Sequence, residues 1–544
     1  MNNRLVFSIL LLFALSACQI KKHADFIIIN AKIYTLDSNF TVAQALAVSD
    51  GKIIATGTNE EMQALFKANE EIDAEGKTIV PGFIDAHAHF LRYGEGLQEL
   101  NLRGTKSWAQ IVAHIKAYTD KNKEGWIIGR GWDQNDWDVK NFPNKEVLDS
   151  LYPNRPIILT RIDGHAAIAN QIALDSAKIT IDTKLTGGDV IVENGKLTGL
   201  LIDNAVDLVS SKIPKLNNQQ KTKSLIDAAN NCFAVGLTTV DDCGLDYKDV
   251  LLIDSLQKTG DLKMRLYAML SDAQDNYDFL IKKGKIKTKH LNVRSFKVYG
   301  DGALGSRGAC LLKPYSDKKD HLGFLLSDEN HFKEVAQKIY DNDFQMCTHA
   351  IGDSANRTIL KIYESVLKGK NDKRWRIEHA QIVNPADFKL FGDNSIIPSV
   401  QPTHATSDMY WAANRLGNQR VKSAYAYLEL LNQNNWLPLG TDFPVEDINP
   451  INTFYAAVSR KDLENYPKNG FQMENALSRE QALKGMTIWA AKSNFEEHEK
   501  GSLEKGKFAD FIILNQDMMT IEDNKIPLTK VLTTYIAGKK VYQK

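Results

Sequence analysis

What this chain lacks narrows it first. Lysine plus arginine and aspartate plus glutamate each number 67, so the formal net charge is zero and no basic run stands out. That balance offers nothing to draw a polyanion and argues against nucleic-acid binding. Only five cysteines occur in 544 residues, and none forms a C-x-x-C pair. Cys232, Cys243, Cys310 and Cys347 sit in or beside apolar runs, so buried free thiols are expected rather than a disulfide framework. Long hydrophobic runs are almost missing. The clearest, over residues 5–15, is too short for a bilayer span, which needs about 20 residues. No internal repeat or low-complexity segment is present. What remains is ordinary for a folded globular protein, 43% hydrophobic and 25% charged. The length exceeds what one core usually fills, so one large domain with additions, or two domains, is expected.

The first residues stand apart. Arg4 supplies a positive start, the apolar run follows, and Leu15-Ser16-Ala17-Cys18 ends small residues on a cysteine before polar Gln19 and Lys21. This resembles a bacterial lipoprotein signal, with 1–17 removed, Cys18 lipidated and 18–24 a tether; an ordinary secretory signal is the alternative. Gln19 at the next position resembles signals sorted to an outer membrane, which places the protein in the cell envelope, lipid-anchored and facing the periplasm.

Residues 25–56 read as short β-strands, at 26–30, 32–34, 45–48 and 52–55, with Asp50-Gly51 as a hairpin turn. A matching pattern returns at 509–514, 531–535 and 539–542. Short ends of this kind rarely fold alone. The expectation is one composite β-sandwich from 25–80 and 500–544, with the long middle inserted. That middle, 81–499, alternates apolar runs with helical stretches, as βα units do. Eight candidate strands fall at 83–89, 237–241, 264–270, 295–299, 344–349, 374–379, 396–401 and 437–442, the number that closes a (β/α)8 TIM barrel. The fold class is therefore α/β. The stretch from about 91 to 224 is too long for one crossover helix and reads as an α/β insertion after the first barrel strand, with strands near 126–128 and 156–160.

The sharpest chemical signal is Asp85-Ala86-His87-Ala88-His89, closing a strand. Alternation on a strand sends His87 and His89 to one side, with Asp85. Two imidazoles on one face suit a borderline divalent metal such as zinc. His349, His379 and Asp442 each close a later strand. Alone, each reads equally as a capping or hydrogen-bonding residue. Their order, on strands one, five, six and eight, is what points to a site, because barrel active sites lie at C-terminal strand ends.

These residues resemble the amidohydrolase superfamily, whose ligand pattern is His-x-His, often a lysine on strand four, then His, His and Asp. Pro81-Gly-Phe-Ile-Asp-Ala-His-Ala-His89, Lys297-Val-Tyr-Gly-Asp-Gly-Ala-Leu-Gly-Ser306 and Ser399-Val-Gln-Pro-Thr-His404 resemble its amidohydrolase 3 branch, which includes N-substituted formamide deformylase. The resemblance implies that His87 and His89 hold one ion, His349 and His379 a second, and a carbamylated Lys297 bridges them. One ion or two stays open. A lysine ammonium is a poor ligand, and carbamylation needs a neutral amine, which burial beside cations would favour. The alternative is a strand lysine paired with a carboxylate such as Asp301. The resemblance further implies attack by a metal-activated water on a small-molecule substrate, hydrolysing an amide, formamide or cyclic amide, with Asp442 as ligand and as general base and acid.

Gly129-Arg-Gly-Trp-Asp133 and Asp163-Gly-His165 also resemble motifs of the branch, so Trp132 and His165 are candidates for the substrate pocket or for packing. His404 is a substrate contact or a satisfied loop histidine, and Arg307 binds a substrate carboxylate or braces its loop. Two rival readings remain: a lipid-anchored solute-binding protein without chemistry, and a phosphoester metallohydrolase, which a pocket rich in arginine and lysine would favour. Monomer and homodimer are both open.

Overall fold

Seven parallel strands carry the central sheet of the computed structural model, which describes residues 21–544. They are Phe83–Ala88, Leu237–Leu245, Arg265–Ser271, Leu291–Tyr299, Gln345–Ala350, Arg376–His379 and Ile397–Ser399, and they neighbour one another in chain order. Nearly every residue in them is buried. That is what a parallel sheet covered by its own crossover helices demands, and why these strands read as apolar runs. The helices supply the cover. Asp353–Leu367, for example, buries Ile359, Leu360, Tyr363 and Val366, a helical spacing of one, three and four residues.

The eighth segment, expected as a strand over 437–442, is not a regular strand, and this corrects the sequence reading. Pro438 has no N–H to give a ladder, and the N–H of Leu439 turns to Gly485 O. The segment still stitches the seam. Gly440 N donates to Val400 O at 3.0 Å, Ala86 N to Leu439 O at 3.1 Å, and Asp442 N to His87 O at 2.7 Å. The result is a nearly closed parallel barrel with Asp442 tied to the first strand.

Two smaller sheets come from the chain ends. Lys22–Ile29, Ala45–Ser49, Lys52–Gly57 and Phe66–Asp73 make one. Lys32–Tyr34, Val42–Ala43 and Thr78–Pro81 join Phe511–Leu514, Val531–Ile536 and Lys539–Gln543 in the other, where Val80 faces Ile512 in antiparallel register. Asp50 and Gly51 both have positive φ, 52° and 71°, as a tight hairpin turn requires. Phe26, Ile28, Ile33, Ile79, Phe511 and Tyr535 share one buried cluster drawn from both sheets. The first strand starts at Lys22, inside the segment expected as tether, because His23 and Ala24 already pair with Lys67 and Ala68. The signal over 1–17 and Cys18 lie outside the described residues. Among the described residues no helix is long and apolar enough to cross a membrane, and Cys232, Cys243, Cys310 and Cys347 are free thiols.

Between the first two barrel strands the chain makes a six-stranded sheet of its own, from Leu100–Asn101 to Lys196–Asp203. Its loop between Ile157–Arg161 and Ala166–Ala169 brings Asp163 and His165 to the cavity at the barrel's strand ends.

Candidate metal centre

His87 and His89 leave the same face of the first strand, and each is gripped on its outer nitrogen. His87 Nδ1 meets the Glu378 carboxylate. His89 Nδ1 donates to Cys243 O at 2.9 Å. Both grips select the tautomer that leaves Nε2 with its lone pair facing inward. There, Asp442 Oδ1 lies 3.6 Å from His87 Nε2 and 3.3 Å from His89 Nε2. His379 is held in the same manner, with Nδ1 donating to Gln401 Oε1 at 2.7 Å. Asp442 Oδ2 is 3.3 Å from His404 Nε2, whose Nδ1 lies 3.0 Å from Glu446.

Two overlapping donor groups result, His87 with His89 and Asp442, and His379 with His404 and Asp442, each set within 4.8 Å of one another. His349 falls outside both. Its ring is 4.6 Å from that of His379, and its Nε2 is 3.5 Å from Asp301 Oδ1 without a hydrogen-bond partner. Asp85, on the face of the two histidines, points to the seam instead. It accepts from the backbone N–H and the hydroxyl of Thr441, fixing the residue before Asp442.

The donors suit a divalent cation. Asp442 Oδ1 is buried with no hydrogen bond, between two imidazole nitrogens. Burial keeps four of the imidazoles neutral: His87 is pushed down to about 4, His89 below the ordinary value, and His349 and His379 well below it, whereas Asp442 and Glu446 outweigh burial at His404 and raise it well above. Burial alone would raise Asp442, but the hydrogen bond from His404 and the nearby imidazoles hold it well below the usual carboxylate range. Neutral imidazoles with an ionised carboxylate are what such an ion binds.

Lys297 is fully buried, its Nζ 3.3 Å from His87 Nε2. It does not pair with Asp301, which accepts the N–H groups of Cys310, Ile351 and Gly352. The expected depression of its pKa needs cations in the site, and the chain's own groups act the other way. Burial lowers it, but Cys243, Tyr299, Glu378 and Asp442 together outweigh burial and raise it above the ordinary lysine value.

His89, Lys297, His349, His379, His404 and Asp442 line one cavity of about 260 Å³, together with His165. His165 Nδ1 is held by Asp203 at 2.6 Å. Two other candidates, each also read as a packing or bracing residue, lie elsewhere. Trp132 is wholly buried in the insertion, its indole N–H donating to Leu159 O and its ring against Trp137 and Phe142, so it is a packing residue. Arg307 braces its own loop through Asp317 and lines a separate cavity. The sequence reading missed Glu378, Gln401 and Arg161. Arg161 reaches the cavity but is ion-paired to both Asp133 and Asp163. Glu378 had a visible signal: Arg376 and Glu378 put two charges on one face of a buried strand.

The chain is 34% identical to the protein LONG AFTER FAR-RED 3 of Arabidopsis thaliana, over 95% of this chain and 92% of that one. It is 25% identical to N-substituted formamide deformylase of Arthrobacter pascens, over 96% and 98%. Its fold matches an uncharacterised metal-dependent hydrolase from Pyrococcus horikoshii with a TM-score of 0.75 and 26% identity, covering 92% of this chain and 99% of that one. Residues 70–542 match the amidohydrolase family, and the chain belongs to that family.

Proposed function

We propose that this metal-dependent amidohydrolase hydrolyses a C–N bond outside peptides, in an amide, a formamide or a cyclic amide. The observation that carries the reading is the buried Asp442 carboxylate, one oxygen unpartnered between His87 and His89 and the other on His404. One divalent ion, zinc being the first candidate, would be held by His87, His89 and Asp442, and a second by His349 and His379. When bound, the metal supplies Lewis acidity toward the attacking water and the scissile carbonyl.

The chain's own groups do the rest. Asp442 takes a proton from the water on its carboxylate and returns it to the leaving nitrogen. His404, anchored by Glu446, fixes the carboxylate's orientation. Glu378 and Cys243 O hold the two first-strand imidazoles in the productive tautomer. Lys297 stays in the proposal as a carbamate that would help hold the ions. Because the chain's own groups raise its pKa, carbamylation would depend on cations in the site. The deformylase similarity puts formamides first among substrates. The phosphoester reading gains little, since of the cavity's two arginines Arg161 is neutralised by two aspartates and Arg103 is held by the backbone oxygens of Val445 and Glu446. On sequence alone, the proposal keeps a lipid anchor at Cys18 and an envelope location.

The test is turnover by metal-replete protein on a panel of formamides, amides, cyclic amides and phosphomonoesters. Turnover confined to C–N substrates is expected. Turnover confined to phosphoesters overturns the reading.

A further inference from the structure

Four buried tyrosines of the barrel and its helices spend their hydroxyls inside the protein. Tyr267 donates to Gln345, Tyr363 meets the Thr348 hydroxyl at 2.7 Å, Tyr425 donates to Asp408 at 2.8 Å and Tyr427 to Gln401 O at 2.9 Å. That is the rule for a phenol taken out of water. Tyr299 departs from it. It is half-buried at the end of the fourth barrel strand, and among the described residues its hydroxyl has no hydrogen-bond partner. Three cavities meet at this side chain, the catalytic one and two others of about 380 and 820 Å³, and His89 is the other residue that lines all three.

Its place is set by the groups around it. Tyr299 is two residues from Lys297 on one strand, so both side chains leave the same face, and the ring centre lies 5.0 Å from Lys297 Nζ. The same ring is 5.7 Å from that of His349. The hydroxyl leans over Gly244, where a Cβ would lie 3.3 Å from Tyr299 Oη. Gly244 has φ +99° and falls where the second strand slips register, between Cys243 and Leu245. That bulge, next to the Cys243 carbonyl that holds His89, leaves the hydroxyl its room. The cavity's two arginines are occupied, Arg161 by two aspartates and Arg103 by backbone oxygens. A phenol keeps its proton at neutral pH, so Tyr299 presents a free O–H donor.

We propose that Tyr299 is a further catalytic residue, whose hydroxyl donates a hydrogen bond to the carbonyl oxygen of the scissile amide and strengthens it as negative charge gathers there. This rests on the hydrolase reading above. As the water oxygen bonds to the carbonyl carbon, the π electron pair moves onto the carbonyl oxygen. The pair returns when the carbon–nitrogen bond breaks, and the nitrogen leaves with the proton carried by Asp442. Tyr299 gives up its own proton at neither stage. A donor fixed where charge develops favours the transition state over the bound substrate, so its loss falls on kcat.

The test compares metal-loaded wild type with Tyr299→Phe, which keeps the ring and removes only the hydroxyl. Turnover is measured on the formamides and amides, and methylphosphonate is titrated calorimetrically. Its charged tetrahedral oxygens imitate the carbonyl oxygen at its most negative, and its binding needs no turnover. In Tyr299→Phe, kcat is expected to fall roughly 10²-fold with KM within about threefold. Methylphosphonate should bind about tenfold more weakly, and metal content should not change. Tyr267→Phe, which loses a hydroxyl held by Gln345, should lower the melting temperature and leave kcat and probe binding alone. A kcat within about threefold of wild type in Tyr299→Phe, a loss of its metal, or an equal fall in Tyr267→Phe overturns the assignment. If no form turns over a C–N substrate, the probe decides: weaker binding to Tyr299→Phe keeps the donor while the hydrolase reading falls, and equal binding overturns both.

Discussion

Glu378 holds His87 through the imidazole Nδ1, and all of it happens inside the barrel, where both side chains are fully buried. The other Glu378 oxygen is 2.6 Å from Arg376 Nε, and Arg376 also pairs with Asp241 at 2.8 Å. The first-strand imidazole is thus braced by a charged network that spans strands two, six and one.

Glu378→Gln should weaken metal binding by about 10–100-fold, because the carboxylate orients the imidazole and raises its basicity. Metal titration of the variant checks this. Glu378→Ala should in addition cost about 3–5 kcal/mol, by leaving Arg376 short of a buried partner. Burial would raise Glu378, but Arg376 and His87 outweigh it and hold its pKa below the ordinary 4.5. A depressed carboxylate contributes stability that is present above that ordinary value and is lost as pH falls below it. The melting-temperature gap between wild type and Glu378→Gln should therefore be full at neutral pH and narrow below 4.5. A gap that widens in acid contradicts the assignment.

Asp442→Asn keeps the shape of the side chain and removes the proton acceptor. It should lower kcat by roughly 10²–10⁴-fold on any substrate turned over, and lower the melting temperature as well, because the fold stabilises the ionised carboxylate. Steady-state kinetics decide; kcat within about twofold of wild type would remove Asp442 from proton transfer.

Gly440 is the tight point of the barrel seam. A Cβ there would lie 2.6 Å from His87 N and 2.7 Å from Asp85 Oδ1. Gly440→Ala should cost about 1–3 kcal/mol through overpacking and weaken metal binding with it, because the seam carries both His87 and Asp442. Melting with intact metal affinity would separate the seam from the site.

Cys18→Ala in the full chain should move the protein from the membrane to the soluble fraction and abolish incorporation of labelled fatty acid. Fractionation of cells making each form tests the anchor. Equal membrane association of both forms would leave no role for lipid at Cys18.

The parts of this molecule legible in its sequence are those written in local patterns. His87-x-His89 shows by strand alternation, and His349, His379 and Asp442 show by their position at strand ends. Seven barrel strands read as apolar runs because both of their faces are covered. The eighth segment misled because apolar content cannot reveal that Pro438 breaks a ladder while single hydrogen bonds keep the seam closed. Trp132 sat in a motif beside pocket residues, yet its indole turned into the insertion's core, a choice set by Leu159 and Trp137 in the folded chain. The grips on the ligands were equally hidden. Glu378 is 291 residues from His87, and the partner of His89 is a backbone carbonyl, which no side-chain pattern announces.

The central claim is that His87 and His89 anchor a divalent ion. Elemental analysis of metal-replete protein lacking residues 1–17, beside the same protein carrying His87→Ala and His89→Ala, tests it most directly. About one or two transition-metal ions per chain in the first, and loss of that metal in the second, is the result predicted. No bound metal in the parent, or the same metal content in both, would contradict it.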